Sequence, residues 1–164
     1  MTTQLLEQMF PGVDTLGIRI ERVAGLTVWE AQPAFQHQSE IFRIQTSIRP
    51  LPGSSCGCVQ VADCTLAFAD GSQKRPDISI FCRIPDEVEI ATTLLPETVI
   101  EVISKDYEAK DYDVGVPYYL RVGVKDVITL DPRPGEVRHY RREGVTYHTP
   151  PVEIALECGC TCLV

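Results

Sequence analysis

Two apolar segments decide the fold, RPDISIF at residues 75–81 and ETVIEVIS at residues 97–104. Both are rich in β-branched residues, which predicts two buried strands joined by a proline-rich connection. Each segment carries a carboxylate, Asp77 at the start of the first and Glu101 in the middle of the second. Because burying an unpaired carboxylate is costly, these residues need a cation, a metal ion or several hydrogen-bond donors nearby.

The part of the chain before these segments predicts helices and a hairpin. Residues 3–9 have apolar side chains at helical spacing, and residues 17–23 and 26–31 alternate as in a β-hairpin. A longer helix is predicted between Pro33 and Pro50, where apolar residues again recur at helical spacing. Its predicted apolar side chains are Phe35, Ile41, Ile44 and Ile48, with His37 on another face.

The rest of the chain adds short strands and one more helix. Pro117 suits the first turn of a helix that ends at Gly123. Near-continuous apolar residues around Glu101 predict a strand covered on both faces. The order of elements predicts one α/β or α+β domain over residues 1–164, with a mixed central β-sheet flanked by helices and additional β-hairpins. The further predicted strands are residues 59–62, 64–68, 127–131, 136–142, 145–148 and 154–156.

Composition narrows the class of protein. The 164 residues are 44% hydrophobic and 23% charged, as in soluble globular proteins, and no apolar run has membrane-spanning length. The N-terminus lacks the pattern of a secretory signal, which predicts a cytoplasmic protein whose seven cysteines are thiols. The net charge of -8 argues against a broad nucleic-acid footprint but allows a local one at a metal site.

The carboxylate pair favours one kind of metal if it binds a metal at all. Asp77 and Glu101 are predicted near the ends of adjacent strands, where both could contact one ion. Oxygen ligands favour Mg²⁺ or Mn²⁺ over zinc, and such ions act in phosphodiester hydrolysis. The alternative is a pair of structural ion pairs, with Asp77 beside Arg75 and Glu101 beside an arginine of another strand. Spacing alone leaves both interpretations open.

Several separate motifs follow one another along the chain: residues 20–25, His37, residues 75–77, residues 101–104, Asp111, Tyr119, residues 123–124 and residues 130–132. In order and spacing they resemble the Uma-two family, whose members are regarded as restriction endonucleases of the PD-(D/E)xK superfamily. The resemblance extends over roughly residues 20–148 and is densest between Arg75 and Pro132. It implies a restriction-endonuclease-like fold with its core at about residues 17–148, followed by a cysteine-rich tail at residues 152–164.

This resemblance implies a catalytic site. Asp77 and Glu101, with the backbone carbonyl of Val102, would bind Mg²⁺ or Mn²⁺ for hydrolysis of nucleic acid, with DNA as the expected substrate. No membrane partner is expected, and the family allows a homodimer. Glu21 matches a glutamate of the family and is either an accessory carboxylate or a solvated strand residue. His37 also matches, but it has no visible metal partner and is a weak candidate for catalysis.

The catalytic lysine is where the chain departs from the resemblance. The lysine position after Glu101 holds Ile103, and family members usually place a lysine on the next helix at the position of Gly115. Lys105 and Lys110 are the nearest predicted substitutes. The alternative function is therefore a catalytically degenerate nuclease-fold protein that acts as a binding or assembly module.

Two further patterns have competing interpretations. The C-G-C segments at residues 56–58 and 158–160, with Cys162 beyond, suggest zinc, but the usual zinc knuckle has two or more residues between cysteines. Core packing or a frayed tail is favoured instead. A basic cluster could meet a phosphate backbone, although arginines also protect edge strands from aggregation, which is slightly favoured. The cluster consists of Arg133, Arg138, His139, Arg141 and Arg142.

Overall fold

The protein is described by a computed structural model that covers residues 19–30 and 33–164. The helix predicted at residues 3–9 lies outside these residues. Residues Lys110–Gly115 form a π-helical segment. In chain order, the other elements are β1 (Arg19–Val23), β2 (Leu26–Glu30), α1 (Phe35–Ser47), β3 (Arg49–Pro50), β4 (Val59–Ala62), β5 (Leu66–Ala67), β6 (Gln73–Lys74), β7 (Ile78–Phe81), β8 (Thr98–Val102), α2 (Val116–Val122), β9 (Asp126–Asp131), β10 (Glu136–Arg141), β11 (Gly144–His148), β12 (Glu153–Ala155) and β13 (Cys160–Leu163).

A six-stranded mixed sheet forms the centre, in the order β11-β10-β9-β8-β7-β4. β8 and β9 are parallel, and the other neighbouring strands are antiparallel. Ile100 packs into the apolar cluster on one face with Ile44 of α1, whereas Val99 packs into the cluster on the other face with Tyr119 of α2. The predicted α+β fold, with a central strand covered on both faces, is confirmed.

Two smaller sheets flank the central one. β2, β1, β6 and β5 form a four-stranded sheet, and β12, β13 and β3 form a three-stranded sheet. The hairpins predicted from β1 to β2 and from β10 to β11 are confirmed. The strand predicted at residues 64–68 is shorter and comprises only β5. Among the described residues, no helix is long and apolar enough to cross a membrane.

Helix α1 differs from the prediction in which side chains it buries. His37, Ile41 and Ile44 are buried, but Phe35 is 90% exposed. The buried residues follow the helical period, and two residues correspond to roughly 200° of rotation, so Phe35 lies on the side opposite His37. The expectation that Phe35 belongs to the apolar face and His37 to another is therefore wrong.

The register of β7 determines what lies at each of its ends. β7 is antiparallel to β8, with Ile78 opposite Ile100 and Ile80 opposite Thr98. Residue 77, directly before β7, therefore lies beside residue 101 near the end of β8. Cys82, directly after β7, lies at the opposite end of the sheet, about 16 Å away at 3.3 Å per residue.

Candidate active site

Hydrogen bonds between side chain and backbone link Asp77 to the strand that carries Glu101. The backbone N–H of Asp77 donates to Glu101 Oε2 at 3.1 Å, and the N–H of Val102 donates to Asp77 Oδ2 at 2.8 Å. Asp77 is 3% exposed and Glu101 is 1% exposed. The antiparallel register of β7 and β8 brings the two carboxylates together, so the strands themselves build the pair.

Asp77 is held by the side chains of an arginine and a histidine. Arg19 Nη1 lies 3.2 Å from Oδ1, and His37 Nε2 lies 3.2 Å from Oδ2. Burial opposes the charge of Asp77, but His37 and Arg19 outweigh it and the pKa of Asp77 falls below its usual value. The same contact raises the pKa of His37, although burial acts against it. His37 is thus a partner of Asp77, which the sequence did not indicate.

Asp77 and Glu101 have other partners than the arginines expected if these two carboxylates were purely structural. Arg75 pairs with Asp63 at 2.8 Å instead of with Asp77. Glu101 accepts a hydrogen bond from Tyr119 Oη at 2.9 Å, and no arginine pairs with it among the described residues. Burial, together with the charges of Asp77 and Asp111, holds the pKa of Glu101 well above its usual range. Glu101 therefore favours a proton or a further cation.

Glu21 is buried, so the interpretation as a solvated strand residue is wrong. Its Oε2 lies 2.5 Å from Lys74 Nζ, and its Oε1 accepts a hydrogen bond from the N–H of Arg75 at 2.8 Å. These contacts follow from the pairing of β1 with β6, which brings Arg22 opposite Gln73. Burial opposes the charge of Glu21, but Lys74 outweighs it and the pKa of Glu21 is lowered.

Sequence reasoning missed Lys74, as it missed Arg19 and Glu30. Lys74 is completely buried, and its Nζ lies 5.2 Å from the centroid of the Tyr119 ring. A Cβ atom at Gly115 would lie 3.7 Å from this Nζ. The ammonium group of Lys74 thus lies beside Gly115, the helix position at which the resemblance leads us to expect a lysine. In the sequence, only the position of Lys74 close to Asp77 indicated that it belongs to the site, and such proximity is weak evidence.

Lys110 also enters the cluster, from the π-helical segment. Its Nζ lies 2.8 Å from Glu30 Oε2 and 3.1 Å from Asp111 Oδ1. Burial opposes its charge, but Asp111 and Glu101 outweigh it and raise the pKa of Lys110. Segments of π-helix are frequent at functional sites, and here the wider turn carries both Lys110 and Asp111. Lys105, by contrast, is exposed and makes no hydrogen bond or ion pair with these groups among the described residues.

Together these groups form a buried cluster with an excess of negative charge, which we name the carboxylate cluster. Burial and the charge of Asp77 outweigh the attraction of Lys110 and raise the pKa of Asp111 to about 6. If all five carboxyl groups were ionised, they would exceed the three permanent cations and His37 by one or two charges, so Glu101 either keeps its proton or needs a further cation. Their oxygen donors suit a hard divalent cation, which would supply the missing charge. Within the described residues, the cluster consists of Glu21, Glu30, Asp77, Glu101 and Asp111 with Arg19, Lys74, Lys110 and His37.

The basic cluster predicted on the hairpin is largely neutralised. Arg133 pairs with Asp131, Arg138 with Glu136, and Arg141 with Asp126. β10 lies between β9 and β11, so these arginines are not on an edge strand as expected. Because three of them already have carboxylate partners, this surface is a poor candidate for binding a phosphate backbone.

The cysteines differ from the prediction of free thiols. Cys56 is bonded to Cys82, and Cys58 is bonded to Cys160. Cys160 begins β13 and is fully buried, so the interpretation of the tail as frayed is wrong. The sulfur atoms lie at the end of the central sheet opposite the carboxylate cluster.

Comparisons with known proteins agree with the fold. The model of the Uma2 family, described as "Putative restriction endonuclease", matches residues 4–157. The chain belongs to this family. Among solved structures, the chain is similar to a protein titled a putative nuclease belonging to DUF820 from Anabaena variabilis ATCC 29413, with a TM-score of 0.61 and 22% identity over 82% of this chain and 79% of the other. No curated protein matches the chain.

Proposed function

We propose that the protein is a metal-dependent endonuclease that hydrolyses phosphodiester bonds, with DNA as substrate. The observation that carries this proposal is the hydrogen bond from the Asp77 N–H to the Glu101 carboxylate, which places Glu101 beside Asp77 in a buried cluster that would be short of positive charge with Glu101 ionised. Membership of a family of restriction endonucleases supports it. We assign Asp77, Glu101 and the carbonyl of Val102 to the binding of Mg²⁺ or Mn²⁺.

The two carboxylates retain the capacity to bind an ion. Each carboxylate oxygen has two lone pairs. Asp77 Oδ1 and both oxygens of Glu101 each have one protein contact of hydrogen-bond length, which leaves one lone pair free on each. A divalent cation bound there would neutralise charge on the scissile phosphate and lower the pKa of a nearby water. Arg19 and His37 position Asp77, and Tyr119 positions Glu101.

Lys74 and Lys110 are proposed to replace the missing helix lysine. Ammonium groups that are fixed before the reaction stabilise charge that develops on phosphate oxygens. Glu21 holds Lys74 in place, and Lys74 lies beside the position of the family lysine, Gly115. Lys110 remains a second candidate, whereas Lys105 is exposed and is the weakest of the predicted substitutes. Glu21 is then an accessory residue that acts through Lys74.

The burial of the cluster favours a second candidate function. With Asp77 and Glu101 at most 3% exposed, a phosphate reaches them only if a covering segment moves. All four oxygens of these two carboxylates already have partners in the protein. A degenerate nuclease fold that acts as a binding or assembly module needs no such access. In that case the ion pairs serve to hold β1, β6, β7 and β8 together.

Cleavage of DNA by the purified chain tests the proposal. We expect the protein to nick supercoiled plasmid with Mn²⁺ or Mg²⁺, and we expect Asp77→Asn and Glu101→Gln to lower this activity by about 100-fold or more. Asp63→Asn is the matched control, because Asp63 lies on the rim of the same network and is half-exposed. Equal cleavage by Glu101→Gln and the parent would contradict the proposal.

Binding of Mn²⁺ measured by calorimetry separates the two candidate functions. An enzyme is expected to bind Mn²⁺ at Asp77 and Glu101, and the affinity should increase with pH because Glu101 must lose a proton whose pKa is raised. Absence of binding at millimolar Mn²⁺ supports the binding or assembly module.

We also propose a cytoplasmic location and a homodimer. Cell fractionation would check the location, and sedimentation would check the oligomeric state.

A further inference from the structure

Five cysteines converge at the end of the central sheet that is opposite Asp77, although they come from three distant segments. Cys82 directly follows β7. Cys58 directly precedes β4, and pairing of β4 with β7 brings these two segments together. The C-terminal segment supplies the sulfur atoms of Cys160 and Cys158. The bonded pairs Cys56–Cys82 and Cys58–Cys160 span 26 and 102 residues of sequence.

The sulfur atoms are close enough to surround a single ion. Cys160 Sγ lies 3.6 Å from Cys56 Sγ, so the two disulfides are in contact. Cys158 adds a free thiol, and the sulfur atoms of Cys56, Cys158 and Cys160 all lie within 4.8 Å of one another. Four thiolates at about 2.3 Å from Zn²⁺ in tetrahedral geometry are about 3.8 Å apart. The observed separation of Cys56 and Cys160 therefore matches one edge of such a tetrahedron.

The backbone conformation explains how two cysteines separated by a single glycine can both reach the same group of sulfur atoms. A Cβ atom at Gly57 would lie 2.9 Å from the carbonyl oxygen of Cys82, and a Cβ atom at Gly159 would collide with Ser54 Oγ. Gly159 has φ +89°, and Cys58 itself has φ +45°, which is uncommon for a residue other than glycine. The chain therefore turns sharply at both C-G-C segments. These turns replace the longer spacing of a zinc knuckle, on which the sequence-based expectation rested.

The surroundings of the sulfur atoms suit a closed site. Cys56, Cys58 and Cys160 are buried, and Cys158 is half-buried. Burial raises the pKa of the Cys158 thiol, which opposes thiolate formation unless a cation is present. Structural zinc sites are closed and have four protein ligands, whereas catalytic sites keep an open position. The sulfur atoms lie between the central sheet and the C-terminal sheet, where a bound ion would have a structural role.

We propose that the reduced chain binds one Zn²⁺ through Cys56, Cys158, Cys160 and either Cys58 or Cys82. In a reducing compartment, each disulfide takes two electrons and two protons from a dithiol, which becomes a disulfide itself. Three of the resulting thiols and the free thiol of Cys158 then release their protons to solvent as they bind Zn²⁺. The ion joins the β4–β7 edge of the central sheet to the C-terminal sheet. This site is independent of the proposed nuclease function, because it lies at the other end of β7.

Zinc retention by the full-length chain tests the proposal. The protein is reduced with a trialkylphosphine, which becomes a phosphine oxide with oxygen from water, and is then incubated with Zn²⁺ and desalted. Elemental analysis is expected to give about one zinc per chain, falling at least about five-fold in the Cys158→Ser/Cys160→Ser double variant. Cys64→Ser is the control, because Cys64 lies outside the cluster, and it should retain zinc. Iron in place of zinc, or no retained metal in the reduced parent, would overturn the proposal.

Cobalt spectroscopy keeps the proposal testable if the double variant does not fold. The reduced parent with Co²⁺ alone should show the intense visible bands of a tetrahedral ion and charge-transfer bands from thiolates. Loss of the tetrahedral bands in Cys58→Ser alone, or in Cys82→Ser alone, would identify the fourth ligand. Weak bands of an octahedral ion in the parent would show that the thiolates do not bind the metal and would refute the site.

Discussion

The two ends of β7 are stabilised by different chemistry. At the start of the strand, Asp77 belongs to the carboxylate cluster, whose members are held by buried ion pairs and hydrogen bonds. At the other end, Cys82 belongs to a group of sulfur atoms that connects the central sheet to the C-terminal sheet. The ionised carboxylates of the cluster exceed the charge of its own cationic partners, whereas the disulfide-bonded sulfur atoms at the other end carry no charge.

This difference indicates how each end responds to its surroundings. Buried carboxylates respond to pH and to divalent cations, because their charge depends on protons and ions. Sulfur atoms respond to the redox state and to soft metals such as zinc. A variant at one end should therefore leave the response of the other end unchanged, and the following predictions test that separation.

Loss of Asp77 is expected to have the largest effect on stability. Asp77→Ala leaves Arg19 and His37 without their shared partner and removes the acceptor of the Val102 N–H. Breaking a buried ion pair typically costs about 3–5 kcal/mol. Urea unfolding should show this loss, while Asp63→Ala should cost no more than about 1 kcal/mol, because Asp63 is half-exposed. Equal effects of the two substitutions would contradict the central role of Asp77.

Reduction of the disulfides is expected to have the next largest effect. Without zinc, opening the Cys56–Cys82 and Cys58–Cys160 bridges should lower the free energy of unfolding by about 2–5 kcal/mol. Addition of Zn²⁺ to the reduced chain should restore part of this loss, since binding to the native state stabilises it. Chemical unfolding with and without Zn²⁺ measures both changes. If Glu101→Gln altered the zinc response, the two ends would not be independent.

Removal of the Lys74 ammonium group tests the proposed replacement for the family lysine. Lys74→Met should lower Mn²⁺-dependent cleavage by about 100-fold, because a buried charge near the carboxylate pair is lost. Lys105→Met is the matched control and should cleave like the parent, since Lys105 is exposed. The pH profile should also shift in Lys74→Met, because Lys74 lowers the pKa of Glu21. Cleavage at the parent rate by Lys74→Met would instead favour Lys110.

The pH dependence of Asp111 is expected to be the smallest effect. Its pKa is raised to about 6 in the folded protein. The unfolded chain therefore releases this proton first as pH rises from about 4 to about 6, and the native state loses roughly 1–3 kcal/mol of stability over that range. Asp111→Asn should remove this component of the pH dependence. Unfolding curves of the parent and of Asp111→Asn at several pH values measure this component. If the two proteins differed in free energy of unfolding by the same amount at pH 4 and pH 6, the raised pKa would be contradicted.

Local patterns predicted the strands and the carboxylate pair because they depend on short stretches of sequence. The alternation and β-branching around Asp77 and Glu101 indicated buried strands, and adjacent strands bring neighbouring residues together. Lys74 was missed because its role depends on the pairing of β1 with β6. The exposure of Phe35 was missed because helical spacing alone does not identify which side of α1 faces the sheet.

The sequence by itself determined the mixed sheet, the central carboxylates and the absence of a lysine at Gly115. Tertiary structure alone decided that Lys74 lies beside Gly115 and that Lys110 faces the cluster from a π-helical segment. It also brought Cys58 and Cys160 together across 102 residues. The physical reason is range: hydrophobic periodicity acts between near neighbours in sequence, whereas ion pairs and sulfur contacts form between segments that only the folded chain brings together.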